Sequence, residues 1–243
     1  MAECRAFPIA WLANVMRALT LILLLAMPVA ASAQLVFYAK ENRLPRADPY
    51  AHETWSQADR GRITMINFAG CLIKLNRRNA MKFLTVFPGA LDYRQRAVKI
   101  AAPGCLDGGA LKFNEQLLRG SLFTQLYAER FTKSSPPLRT ESIDYTADGV
   151  GQNPAAISAY AATRQFVECV VRAAPEASRA VVLAPIGSLE DDEAFKTITP
   201  ILGPCLVQGA EVKLSRPALS GLLAEILYRL STDIKLVSVA GKS

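Results

Sequence analysis

Histidine is the usual proton shuttle near neutral pH, and this 243-residue chain has a single one, His52. A Ser-His-Asp or Cys-His apparatus needs a positioned imidazole with partners, and the sequence around His52 offers none, so it reads as a surface or packing residue. Two facing carboxylates could cleave a glycoside. The only dense acidic group, Glu190-Asp191-Asp192-Glu193, occupies successive positions. On a helix these point in different directions, so they read as a solvated helix start. No Cys-x-x-Cys pair accompanies the remote histidine, which removes the usual zinc spacing. No glycine cluster has a phosphate-cradling or dinucleotide-binding pattern. No catalytic residue, metal site or cofactor is called for.

The cysteines carry the clearest pattern. Phe68-Ala-Gly-Cys71-Leu-Ile-Lys74 returns as Phe166-Val-Glu-Cys169-Val-Val-Arg172, and Cys105-Leu-Asp-Gly-Gly-Ala as Cys205-Leu-Val-Gln-Gly-Ala. Leu118-Arg-Gly120 to Tyr127 returns as Leu219-Ser-Gly221 to Tyr228. Such self-similarity with small loop drifts predicts a tandem duplication. Of the five cysteines, Cys4 precedes the expected cleavage point, and the remaining four allow three pairings. If one ancestral unit folded alone, its two cysteines bonded within it, which selects Cys71–Cys105 and Cys169–Cys205. Each bond closes a loop worth about 4 kcal/mol in the chain-entropy model. Gly120 and Gly221 recur inside a helix, where glycine costs about 1 kcal/mol against alanine, so a close helix–helix approach is expected. Tyr127 and Tyr228 recur as buried anchors.

These residues must be held by helices. Residues 1–33 combine Arg17, the apolar run Ala18–Ala30 and Ala31-Ser-Ala33, the three parts of a secretory signal cleaved after Ala33. Met16 is an alternative start, and the apolar run is short for a membrane span. Residues 34–58 read as an extended leader and 59–131 as the first helical repeat. Residues 132–152 form a Pro/Ser- and Gly-containing linker, 153–232 the second repeat, and 233–243 a tail with a short extended piece. The first repeat is expected to start at an Asp59 cap, with further helices over 79–87 and 91–101 and one capped by Asn114. In the second, Asn153-Pro154, Ser188 and Ser215 mark helix starts. The fold class is all-α, a duplicated disulfide-stapled four-helix unit with very little strand; residues 153–243 are expected to fold alone, although duplicated helical units often share a face.

Charge separates the copies. Residues 68–131 hold 10 basic and 4 acidic residues, whereas 153–232 hold 7 and 8. Arg77, Arg78, Lys82, Arg94, Arg96 and Lys99, with Lys112 and Arg119, supply the excess; the positions matching Arg77, Arg78 and Lys82 are Pro175, Glu176 and Ala180. The first six form a candidate face for an anionic surface, either a membrane or an acidic envelope protein. Nucleic acid is disfavoured, since no aromatic residues interleave the arginines.

The repeated Phe-x-x-Cys-Val-Val-Arg, Pro-Cys-Leu-x-x-Gly and Leu-x-Gly-x-Leu-Ala-Glu-x-Leu-Tyr-Arg patterns resemble a group of exported alphaproteobacterial proteins with a duplicated two-cysteine helical repeat. The second repeat fits through Cys169, Arg172, Cys205, Leu206, Gly209 and Leu219 to Arg229. The first departs with Lys74 and Gln125. The resemblance implies export and fold and carries no activity. The expected function is a non-enzymatic binding or structural module of the cell envelope, periplasmic or extracellular. The alternatives are a carboxylate- or tyrosine-dependent enzyme, or an apolar-ligand carrier, with a site between the repeats.

Overall fold

The computed structural model describes residues 35–38, 55–101, 103–105, 110–113, 115–207, 212 and 214–232, with 35–38 and 110–113 described as backbone. The expected signal segment 1–33, His52, the expected Asn114 cap, the Lys112 side chain and the tail 233–243 lie outside the described residues.

The fold is all-α. Helix α1 spans Gln57–Leu84, α2 Tyr93–Ile100, α3 Glu115–Phe131, α4 Pro154–Ala173, α5 Pro175–Leu183, α6 Leu189–Cys205 and α7 Arg216–Leu230. One antiparallel ribbon, β1 (Leu35–Tyr38) with β2 (Ala110–Phe113), pairs part of the leader with the stretch before α3.

The caps follow local chemistry. The Asn153 side chain accepts from the Ala155 and Ala156 N–H groups, Ser188 from Asp191 and Ser215 from Ala218, satisfying donors that the first helical turn cannot. The cap of α1 is Ser56, accepting from the Asp59 N–H, so α1 starts before the expected Asp59 cap. Asp59 instead sits in the first turn, where the helix dipole favours a carboxylate. The break expected before Asn79 is a kink at Asn76 (φ −146°, ψ 46°), beyond which the helix resumes to Leu84. In the second half the break between α4 and α5 falls at Ala174 (φ −146°, ψ 70°), 98 positions on. Pro175 forces that break outright, whereas asparagine merely permits it.

Disulfides join Cys71 to Cys105 and Cys169 to Cys205, with Cα–Cα distances of 5.6 and 5.7 Å. Such bonds form and persist in an oxidising compartment. Among the described residues no helix is long and apolar enough to cross a membrane.

Both halves feed one core. Leu72, Phe83, Leu118 and Leu122 from the first and Val167, Val170, Leu223 and Ile226 from the second belong to a single cluster of buried side chains. The face the two units share is the crossing of α3 on α7. A β-carbon built on Gly120 would stand 2.7 Å from the Gly221 Cα, and one on Gly221 2.7 Å from the Gly120 Cα. The two backbones therefore touch where side chains normally hold helices 8–10 Å apart.

The connection between halves is braced, although its composition reads as a linker. Tyr145 donates to Glu168 (2.6 Å), and Arg172 donates to the Arg139 and Glu141 carbonyls (2.7 and 2.8 Å). Asp148 accepts from Arg229 (2.6 and 3.2 Å) and Tyr160 (2.8 Å). All these partners belong to the second half.

Candidate binding site

The glycine crossing leaves a cleft on each side. One, of about 240 Å³, lies against α1. The other, of about 480 Å³, lies against α4. Each of the eleven residues lining the first has a counterpart in the second, 98 positions away on α1 and α4 and 101 away on α3 and α7. Ala58, Gly61 and Met65 thus correspond to Ala156, Ala159 and Thr163.

The charge of the two differs at four of these places. Where the smaller cleft has Ile66, Thr124 and Ser220, the larger has Arg164, Glu225 and Arg119; where the smaller has Arg62, the larger has Tyr160. Arg119 and Glu225 are each 2 % exposed. Glu225 accepts from Arg119 Nη2 (2.9 Å) and Nε (3.4 Å), and from Arg164 Nη2 (2.8 Å) and Nε (3.2 Å). Arg119 Nη1 donates to the Leu84 and Val86 carbonyls (2.8 and 3.4 Å). The Arg164 guanidinium lies 3.5 Å from the centroid of the Tyr160 ring, a cation–π contact. Its Nη1 has no acceptor among the described residues.

Burial alone raises a carboxyl pKa. At Glu225 the attraction and hydrogen bonds of Arg119 and Arg164 outweigh it and hold the group well below the usual carboxylate range. Burial also works against the Arg119 charge, and Glu225 outweighs it, pushing the guanidinium upward. Burial pushes Tyr93 up to about 12, partly offset by Arg119, and Tyr160 is raised for the same reason. At neutral pH the cluster therefore holds one carboxylate, two guanidinium ions and neutral phenols. None of these is poised near neutrality for proton transfer.

The smaller cleft keeps its one charge saturated. Arg62 makes a bidentate pair with Asp191 (2.6 and 2.9 Å) and a further contact to Asp59 (3.3 Å). Asp191 is thus buried, unlike its exposed neighbours Glu190, Asp192 and Glu193, and the acidic group is not wholly the solvated start its sequence suggests.

Arg77, Arg78 and Lys82 are exposed on α1 beyond the kink, and Arg94, Arg96 and Lys99 are exposed on α2. Stacking of Phe83 on Tyr93, centroids 4.9 Å apart, ties these segments together. Arg77 pairs with Glu129 (2.8 Å) and Arg96 with Asp92 (2.6 Å); such exposed pairs are worth little. Arg119 departs from the surface reading because it is buried at the glycine crossing. Tyr127 is buried and accepts from Arg179 (3.3 Å).

The sequence reading missed the Arg119–Glu225–Arg164 cluster, because its members lie 61 and 106 positions apart. One signal was available. Glu225 and Arg229 stand four and eight residues after Gly221, on the face a packing glycine marks as buried. The matching residues, Thr124 and Ala128, are uncharged.

Fold and site together define a disulfide-stapled all-α protein with two corresponding clefts at a glycine crossing. No family model, curated protein or solved structure matches the chain.

Proposed function

We propose that this protein is an exported, non-enzymatic binding module of the cell envelope that meets an anionic membrane surface through its first half. The observation that carries the reading is an asymmetry of charge: six basic side chains are exposed on α1 beyond its kink and on α2, while the second half carries Pro175, Glu176 and Ala180 at three of the matching positions. Solubility needs no such bias on one half, since either sign serves it. Juxtaposed Lys and Arg are worth about 1 kcal/mol each near an anionic bilayer. Cleavage after Ala33 and a periplasmic or extracellular location belong to the same proposal, supported by the signal-like segment and the two disulfides.

The reading treats the halves as copies of one unit. Support comes from the breaks at Asn76 and Ala174, the touching glycines, and disulfides closing separations of 34 and 36 residues. Convergent ionisable groups at the junction are what the enzyme alternative would need. Their protonation states instead favour holding over transforming a ligand.

The test is cosedimentation with phosphatidylglycerol vesicles and with envelope fragments, comparing wild type with Arg77→Glu/Arg78→Glu/Lys82→Glu. Binding should fall at least tenfold in the variant, and should weaken as salt rises past about 0.1 M, where the Debye length is about 10 Å. Binding indifferent to salt, or equal in both proteins, overturns the reading. Capture by envelope fragments but not by vesicles replaces the membrane with an acidic protein.

A further inference from the structure

We propose that the larger cleft is a binding site for a monocarboxylate with an apolar chain, anchored by Arg164. The inference is independent of the surface reading above and starts from an unequal exchange. The same frame packs at the glycine crossing with Ile66, Thr124 and Ser220 on one side and with Arg164, Glu225 and Arg119 on the other. The frame therefore does not require ions there. Burying three of them carries a desolvation penalty that their mutual attraction repays only with excellent geometry. A role in holding a ligand accounts for their presence.

Charge and hydrogen-bond inventory say what kind of ligand. Two guanidinium ions hydrogen-bond one carboxylate, while a third, Arg229, 3.8 Å from Glu225, is balanced by its pair with Asp148; one positive charge is left in excess, and no other lining residue is acidic. Glu225 is fully occupied, accepting four hydrogen bonds. All three nitrogens of Arg119 are engaged. Arg164, 4 % exposed and on the cleft lining, is engaged only through Nε and Nη2. Its Nη1 carries two N–H groups, and these remain for an occupant. The N-terminal turn of α7 also opens on the cleft through Ser215 and Ala218, adding the positive end of a 15-residue helix.

One spare charge and one spare nitrogen suit a singly charged oxyanion better than a dianionic phosphate. Phe87, Leu117, Leu214 and Leu222 give the remaining walls an apolar stretch that suits an aliphatic or aromatic body, and the polar residues beside it, Gln116, Thr163 and Ser215, are uncharged. The volume of about 480 Å³ falls within the range typical of small-molecule sites.

The structure also provides an internal control. Ala159 lines the larger cleft and Gly61 is its counterpart in the smaller one; neither belongs to the charge cluster. Titration calorimetry with hexanoate, 1-hexanol and inorganic phosphate, on the full protein, tests the proposal. Hexanoate should bind at one saturable site, hexanol at least tenfold more weakly, and phosphate without saturation. Ala159→Phe should lower hexanoate affinity at least tenfold with an unchanged melting temperature. Gly61→Phe should leave that affinity within twofold. Arg164→Lys keeps the charge but not the fork and should weaken binding further than it lowers the melting temperature would explain. No saturable hexanoate binding, equal binding of hexanol, or an Ala159→Phe protein that binds as wild type overturns the site. Tighter phosphate than hexanoate overturns the ligand class.

Discussion

The two clefts beside the glycine crossing occupy matching places in the frame, yet one meets it with neutral side chains, its single guanidinium paired away with Asp191, and the other is built around three buried ions. The smaller cleft shows that α1, α3 and α7 can meet there with Ile66, Thr124 and Ser220. The larger carries Arg164, Glu225 and Arg119 in the same positions at the cost of desolvating all three. The difference separates what the architecture needs from what has been added to it. Small residues at the crossing are needed. The ion cluster is not.

The largest effect should come from removing one ion alone. Glu225→Gln leaves two buried guanidinium ions without their counter-charge and should cost about 3–5 kcal/mol in chemical denaturation. Thr124→Val, at the matching place, should cost no more than about 1.5 kcal/mol, the loss of one hydroxyl and its bond to the Gly120 carbonyl. The sharper form replaces the whole cluster with its counterpart, Arg119→Ser/Arg164→Ile/Glu225→Thr. That protein should lose less stability than Glu225→Gln, since no buried ion is left without its counter-charge; what it does lose comes from the volume and the donor to the Leu84 and Val86 carbonyls that Arg119→Ser removes. A triple variant as unstable as Glu225→Gln would mean that the two clefts are not interchangeable.

Next in size is the crossing itself. Gly221→Ala places a β-carbon against the Gly120 backbone, which cannot step aside as a side-chain tip can, and should cost about 1–3 kcal/mol. Gly61→Ala meets nothing within 4 Å and should stabilise by about 0.4–1 kcal/mol through the unfolded state. Acid should then separate the clefts. Glu225 is held below its ordinary value of 4.5, so its contribution is present above that pH and is lost progressively as pH falls below it. Wild type should lose more stability than the triple variant between pH 6 and pH 3. Equal losses would place the acid-sensitive group elsewhere. The smallest effect belongs to the surface: Arg77→Glu/Arg78→Glu/Lys82→Glu should shift stability by about 0.5 kcal/mol per site or less, so any loss of vesicle binding reports the face and not the fold.

What was legible in the sequence was local or repeated. Ser188, Ser215 and Asn153 announce their helices because a cap needs only the next three residues. The paired glycines announced a close approach because their cost demanded one. The cysteine pairs followed from the repeat. The charge cluster was not legible because proximity in the fold, not in the chain, makes it. Arg119 sits between Leu118 and Gly120, where an isolated basic residue reads as the polar edge of an amphipathic helix. Only the touching backbones of α3 and α7 reveal that this edge is inside. Asp191 was misplaced for a related reason: four consecutive acids look solvated as a group, although one of them faces Arg62 across the fold.

Both disulfides stay within their own half, Cys71 with Cys105 and Cys169 with Cys205. Among the described residues, the peptide chain from Thr132 to Gln152 is therefore the sole covalent tie between the halves. Its first residues, through Ser135, are exposed, and its later ones are fastened to the second half. A single protease nick near Ser134 yields two disulfide-closed fragments that separate on a non-reducing denaturing gel. In native buffer the same fragments travel together, because the glycine crossing and the common core still clasp them. The protein is in that sense two interlocking pieces that happen to be translated as one.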